Sequence, residues 1–304
     1  MTALFVIGFV VQVLRIGVPY VCAAMGGVGS ERSGVVDIAL EGKLLAGAFG
    51  AAVAAVLTGS ALAGVVCGVL SAMAIGGLHA LVAVRWRADS VVTGVALNLL
   101  VIGLTRLLLR TLFDSSSNSP KLPPLVPWLG EEGTAASGHS VAGVASDPLF
   151  WAAILLVAGT HLWMSRTRFG LRVRAVGEHP EAAETLGVRP VRVRTMALLL
   201  SSAVTGVGGV WLAFDQRQFT HEMSAGRGFI ALAAVIVGGW RPIPAALACL
   251  AFALLEAVQI LLQGVADLPS QLLQVLPFAI TIVAVAGVVG RSRVPSALGK
   301  PYPD

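Results

Sequence analysis

The chain has 304 residues, of which 56% are hydrophobic and only 12% charged, with a net charge of +5. A soluble domain carries roughly 25% charged residues, so an ordinary water-soluble fold is excluded. The basic excess, which in a soluble protein would point to nucleic acid, sits in alternate connections between apolar runs, and a nucleic-acid partner is excluded with it.

Apolar runs occupy 3–28, 34–59, 61–84, 91–109, 149–164, 196–214, 228–239, 245–262 and 272–290. Most reach the ~20 residues that a helix needs to cross a hydrocarbon core of about 30 Å. Lipid offers backbone amides no partners, so such runs must be helices, broken only inside the bundle. The predicted fold class is all-α, a polytopic membrane helical bundle of about nine (eight to ten) transmembrane helices.

The first run has no basic leader and reads as a retained helix rather than a cleaved signal. Arg15 interrupts it four residues before Pro19 and is expected to face inward or to be paired. In the second run Asp37 and Glu41 stand four apart, which would set both carboxylates on one helix face near its cytoplasmic end. The third run carries His79, the fourth Asn98 and the fifth His161; both histidines are expected to be hydrogen-bonded within the bundle, and no metal is expected. Cys22, Cys67 and Cys249 lie in separate runs with no ligand spacing and read as small core residues. Glycine and alanine fill the runs, which lets helix backbones approach closely in lipid.

The connection 110–148 is rich in Ser, Pro and Gly, and 165–194 is basic. Arg32, Arg85, Arg87, Arg166, Arg168, Arg172, Arg174, Arg189, Arg192, Arg194, Arg241, Arg291, Arg293 and Lys300 fall on one side; Arg110, Lys121, Arg217 and Arg227 fall on the other. The positive-inside rule makes the first side cytoplasmic, with the N-terminus outside and the C-terminus inside.

Within 165–194, Pro180 at a first helical position, Glu178 and Glu181 around it, Ala182-Ala183 and a closing Gly187 spell one short helix with start and stop signals. It reads either as an interfacial loop helix or as a coupling helix that docks on a separate ATPase. Further on, the polar stretch 215–227 precedes an unusually short run. This short, glycine-flanked segment stands at the place equivalent to a Gly26 to Gly34 break in the first copy, which points to a discontinuous helix at a solute site, or it is an ordinary loop. Glu222, Met223, Ser224 and Arg227 are therefore candidates for gating or for docking a binding protein. The eighth run carries Glu256 and Gln259, with Gln263 one turn on.

Ile38-Ala39-Leu40 recurs as Ile230-Ala231-Leu232, Leu78-His79-Ala80 is answered by Leu255-Glu256-Ala257, and Ala88-Asp89 by Ala266-Asp267. The order suggests two copies of one unit in inverted topology. The single transmembrane domain would then comprise repeat 1 (about 3–109), an external loop 110–148, helix 5 (149–164), a cytoplasmic loop 165–194, repeat 2 (about 195–290) and a tail 291–304.

Ser30-Glu31-Arg32-Ser33-Gly34-Val35-Val36-Asp37-Ile38-Ala39-Leu40-Glu41-Gly42, Gly177-Glu178-His179-Pro180-Glu181-Ala182-Ala183, the stretch from Ser224 to Ile236 and the tail Gly290-Arg291-Ser292-Arg293 resemble the permeases of bacterial nucleoside ABC importers. These belong to the wider branched-chain amino acid and ribose permease family, and the resemblance runs along essentially the whole chain. It implies that Gly177 to Ala183, closed by Gly187, contacts an ABC ATPase. His179 stands where that family usually has Asn, which removes the customary cap. It further implies a second permease chain, identical or not, an extracytoplasmic solute-binding protein, and location in the bacterial plasma (inner) membrane.

No Gly-x-x-x-x-Gly-Lys-Ser/Thr loop is present, so no cofactor is expected on this chain, and ATP and Mg would be used by the partner ATPase. Intramembrane polar groups are costly and point to function, which makes Asp37, Glu41, Asn98, Glu256 and Gln259 the candidate solute path. Amides and carboxylates of this kind suit ribose hydroxyls and base edges, or they satisfy one another. A sugar or branched-chain amino acid permease, or an ion-coupled secondary transporter, stays open as an alternative. No catalytic cluster faces a common side, so no enzyme is expected.

Overall fold

The computed structural model describes residues 2–125, 141–263, 275, 279–283, 286–287 and 294–302. Most of the ninth apolar run, Arg291, Arg293 and residues 126–140 of the long connection lie outside the described residues. The helices are α1 (Thr2–Glu31), α2 (Leu40–Thr58), α3 (Ala61–His79) running on as a π-helical turn (Ala80–Arg85), and α4 (Ser90–Phe113). After them come α5 (Val141–Ser146), α6 (Pro148–Arg166), α7 (Arg168–Glu178), α8 (Pro180–Thr185), α9 (Pro190–Asp215), α10 (Arg227–Val237) and α11 (Pro242–Gln263). No strand occurs among the described residues, only an isolated antiparallel bridge between Asn118 and Thr220. Seven of these helices, α1, α2, α3, α4, α6, α9 and α11, are long and apolar enough to cross a membrane. The chain is a polytopic helical membrane protein.

Local chemistry sets the helix ends. Asp89 caps α4 by accepting from Val91 N (2.8 Å) and Val92 N (2.9 Å), and Asp147 caps α6 by accepting from Leu149 N (2.8 Å), with Pro148 at the first helical position. Each supplies an acceptor for amides that have no partner within their own helix. Gly59 closes α2 at a φ of 65°, a left-handed conformation that costs glycine little.

The centre of the bundle is formed by α2 and α9, most of whose residues are buried. Backbone contact makes this possible: a Cβ at Gly47 of α2 would stand 3.0 Å from the carbonyl oxygen of Gly206 on α9. Helices in lipid associate through such packing, because hydrocarbon supplies no hydrophobic drive. Around this pair, α1 lies along α9, α10 and α11, while α9 lies along α1, α2 and α3.

Three expectations need correcting. The run 34–59 is not one helix, because α2 begins only at Leu40 and residues 32–39 form a turn entered through Gly34 at a φ of 97°. Asp37 and Glu41 therefore do not share a helix face. The basic connection holds two helices rather than one. Thr167 caps the first by accepting from Gly170 N (3.0 Å), and Gly170, Val173, Val176 and Gly177 give it a buried stripe, so α7 is an amphipathic helix that packs on the bundle. Finally, Cys22 and Cys249 are buried, but Cys67 is exposed on the outward face of α3.

Candidate functional site

Helices α2 and α10 both begin inside the bundle, and their starts meet. The 11 residues of α10 end beside Arg241, at the arginine-rich end. At a rise of 1.5 Å each they span about 16 Å, half of a hydrocarbon core. Its first amides are capped from another helix: Glu41 accepts from Gly226 N (2.8 Å) and Gly228 N (2.7 Å). A carboxylate at a helix N-terminus is favoured by both the unpaired amides and the macrodipole. Gly228 is required for the approach, since a Cβ there would lie 2.6 Å from the Glu41 Cα.

The start of α2 is held differently. Its N-cap, Ala39, has no side-chain acceptor, so Asn98 reaches across from α4, accepting from Gly42 N (2.8 Å) and donating to the Ile38 carbonyl (2.9 Å). Lys43, one turn into α2, donates to both oxygens of Asp37 (2.7 and 2.6 Å), and His79 Nδ1 stands 3.5 Å from the same carboxylate. All three side chains are fully buried. Sequence reasoning missed Lys43; a single lysine in an apolar run, six residues after a carboxylate, was the available signal.

Beside the α10 start, Arg227 Nη2 donates to Glu256 of α11 (3.1 Å), Arg227 Nη1 donates to the Met223 carbonyl (2.9 Å), and Tyr20 of α1 donates its hydroxyl to Glu256. Nearby, Arg15 of α1 pairs with Asp215 at the end of α9 (2.5 Å), the partner that could not be read from sequence. Arg227, Arg15, Gln12, Asp215, Gln216 and Trp211 face a cavity of about 480 Å3 between the first half of α1 and the ends of α9 and α11, away from the arginine-rich end. Its size falls within the roughly 300–1,000 Å3 of small-molecule sites.

The segment 217–221 closes over this end by pairing with 117–122. Ser119 N donates to the Phe219 carbonyl (2.9 Å), Leu122 N to the Arg217 carbonyl (2.8 Å) and His221 N to the Ser117 carbonyl (2.8 Å). Of the predicted gating residues, Met223 and Ser224 are buried and Arg227 lines the cavity, whereas Glu222 is largely exposed beside His221. Of the predicted path residues, Glu41 and Glu256 gather at the α10 start, Asn98 clamps α2, and Asp37 is enclosed with Lys43. Gln259 is buried one turn beyond Glu256.

At the arginine-rich end, α7 and α8 meet at His179, whose side chain caps nothing, in keeping with the loss of the usual Asn. Leu186, just past α8, is 84% exposed. The tail returns here. Ala297 N donates to the Gly177 carbonyl (2.9 Å), Gly299 N to the Gly34 carbonyl (3.0 Å) and Arg194 Nη1 to the Lys300 carbonyl (2.9 Å), while Tyr302 donates its hydroxyl to Glu184. No motif in the sequence announced this strap.

Charged and amide groups gather where α2 and α10 begin inside a bundle of apolar helices long enough to cross a membrane, an arrangement that fits a polytopic membrane permease. Residues 9–285 match the family described as branched-chain amino acid transport system, permease component, and the chain belongs to that family. It is 35% identical over 318 residues to the guanosine ABC transporter permease protein NupQ of Bacillus subtilis, covering 96% of this chain and 98% of that one. It is 33% identical over 306 residues to the nucleoside ABC transporter permease protein NupC of Lactococcus lactis, covering 96% of each. A putative glucose ABC transporter permease protein, TsgC13 of Haloferax volcanii, is 30% identical over 254 residues, covering 78% of this chain and 72% of the relative. No solved structure matches the chain.

Proposed function

We propose that the chain is the membrane permease of an ATP-binding-cassette importer whose cargo is a nucleoside. The observation that carries this reading is the 33–35% identity, over 96% of the chain, to permeases named for guanosine and nucleosides. In this reading the chain hydrolyses nothing itself. A separate ABC ATPase uses ATP and Mg, a second permease chain completes the passage, and an extracytoplasmic solute-binding protein delivers the cargo. The arginine-rich end is cytoplasmic by the charge rule, in a bacterial plasma membrane, with the N-terminus outside.

The reciprocal packing of α1 and α9, in which α1 lies along α9, α10 and α11 and α9 lies along α1, α2 and α3, supports two inverted units. Residues Gly177 to Gly187 form the coupling segment, with Pro180, Glu181, Ala182 and Ala183 on α8 and Leu186 as its exposed anchor. The cavity beside Arg227 and Trp211 is the outer part of the solute path: Arg227 and Glu256 supply hydrogen-bond partners for hydroxyls and base edges, and Trp211 an aromatic edge. Glu41, Asn98 and Gln259 complete the polar seam, and Ser224 and Met223 sit where α10 would move.

Uptake of radiolabelled guanosine into vesicles holding the chain with its ATPase and binding protein tests the reading. ATP-dependent uptake, competed by other nucleosides and not by glucose, is expected. Uptake without ATP would sink the importer assignment, and competition by glucose alone would transfer the cargo to the sugar class. Bulky residues at Glu181, Ala182 and Ala183 should abolish capture of the ATPase while the chain stays in the membrane; undiminished capture would refute the coupling assignment.

A further inference from the structure

Three arginines that the solute path does not use converge on one groove at the arginine-rich end. Arg32 follows α1, Arg174 stands on α7, and Arg241 immediately precedes α11. Together with His161 and Ser165 of α6 and Ile243 of α11 they line an open groove of about 470 Å3.

Counter-charge is scarce there. Glu178 Oε1 stands 3.8 Å from Arg32 Nη1, beyond hydrogen-bonding distance. Glu31 is buried behind Trp240, whose indole donates to it (2.6 Å). Arg32 Nε donates to the Trp240 carbonyl (3.0 Å), and the Nε of Arg174 is buried without a hydrogen-bond partner among the described residues. Burial lowers the pKa of Arg32, Glu178 pulls it upward, and Arg174 and Arg241 push it down again, as like charges held close together must.

The surroundings of the groove are apolar and outward-facing. Leu162 on α6 and Ile243 and Leu247 on α11 are all exposed on the membrane-facing surface of the bundle. A site with a cationic pocket at the membrane surface and an apolar wall running into the membrane suits a molecule that has a phosphate at one end and acyl chains at the other. Basic pockets between transmembrane helices bind anionic headgroups in this way.

We propose that this groove binds the phosphate of an anionic phospholipid headgroup and so ties α6, α7 and the start of α11 together at the membrane surface. The guanidinium groups of Arg174 and Arg241 donate to the phosphate oxygens, and the planar fork of each suits phosphate better than an ammonium would. The acyl chains lie along Leu162 and Leu247. This goes beyond the import reading and does not depend on the solute.

The test uses the purified full chain in detergent, with phosphatidylglycerol or phosphatidylcholine titrated in, read by native mass spectrometry and by thermal unfolding. Phosphatidylglycerol is expected to stay bound and raise Tm, and phosphatidylcholine to do neither. Arg174→Gln and Arg241→Gln should each weaken phosphatidylglycerol binding about fivefold, as expected for the loss of one basic residue near an anionic lipid. Arg172→Gln, on the exposed face of α7 and outside the groove, should leave it unchanged. Mass-spectrometric titration at low temperature keeps the comparison valid if the groove variants melt earlier without lipid. Equal effects of the two lipids, or unchanged binding to both groove variants, overturns the proposal. So does inorganic phosphate that alone reproduces the Tm rise and displaces the lipid, since the site would then serve a free anion. Loss of the lipid when the partner chains are added would make the groove a protein interface, and the proposal would fall.

Discussion

The two helices that begin inside the bundle are anchored by opposite means. The start of α2 is fixed by a dry, fully buried ion pair between Asp37 and Lys43, six residues apart, and by Asn98 from the same half of the chain. The start of α10 is held by residues distant in sequence, Glu41 on α2 and Glu256 on α11, beside a cavity, and the Arg227 and Glu256 side chains keep 18% exposure each. A dry pair has no water to replace a lost partner, whereas a wet one does. The difference makes the α2 start the more firmly held of the two. Under the import reading, transport moves α10 against α2.

The strongest challenge to that comparison is Lys43→Met. It leaves the Asp37 carboxylate buried without its cation, and breaking a buried pair costs about 3–5 kcal/mol. The expected outcome is loss of folded protein from the membrane fraction and a Tm too low to measure in detergent, with Asp37→Asn in the same chain restoring much of it. A stable single variant would mean that α2 is not fixed by this pair.

Glu41→Gln comes next. It replaces a charged acceptor of two α10 amides by a neutral one, and hydrogen bonds to a charged group contribute roughly 1.5–3 kcal/mol. The chain should insert at normal levels while nucleoside uptake falls at least about tenfold, within the range of that energy. Full uptake would show that the α10 start is positioned by packing at Gly228 rather than by charge.

Glu256→Gln is expected to do less, because Arg227 keeps its bond to the Met223 carbonyl and borders the cavity. The loss is about 1 kcal/mol. It should raise the KM for uptake about fivefold with little change in protein level. A change confined to the maximal rate would move Glu256 from the solute path to the machinery that moves α10.

How much of this could be read from sequence follows from what each feature depends on. Run length and composition set the helical bundle, because lipid leaves the backbone no alternative to a helix. The break before α2 fell inside an apolar run: Gly34, which takes the left-handed turn, was its local mark, but its exact place depends on Asp37 finding Lys43 and on Asn98 supplying the missing cap. Glu41 and Glu256 were legible as costly intramembrane carboxylates, but their partners were not, since Gly226 and Tyr20 are distant in sequence. The short α10 was visible through its flanking glycines, at Gly226, Gly228 and Gly238, which belong to its tight start and stop. α7 was overlooked because its arginines read as loop charge, although Val173 and Val176 carry the helical spacing.

The smallest effect is expected farthest from both helix starts, at Tyr302→Phe. Its hydroxyl donates to Glu184 at the surface, where water replaces the lost partner. The strap also keeps bonds that the variant leaves intact, from the Ala297 amide to the Gly177 carbonyl and from the Arg194 guanidinium to the Lys300 carbonyl. Uptake should therefore stay within about twofold of the parent chain, and the ATP hydrolysed per nucleoside imported should not change. A tenfold loss would mean that the tail's last residues, rather than these bonds, set the position of α8. Because Gly299 is also bonded to Gly34 in the turn that leads into α2, the release of α10 would then begin at the tail and pass through the very helix start that the buried ion pair is expected to hold still.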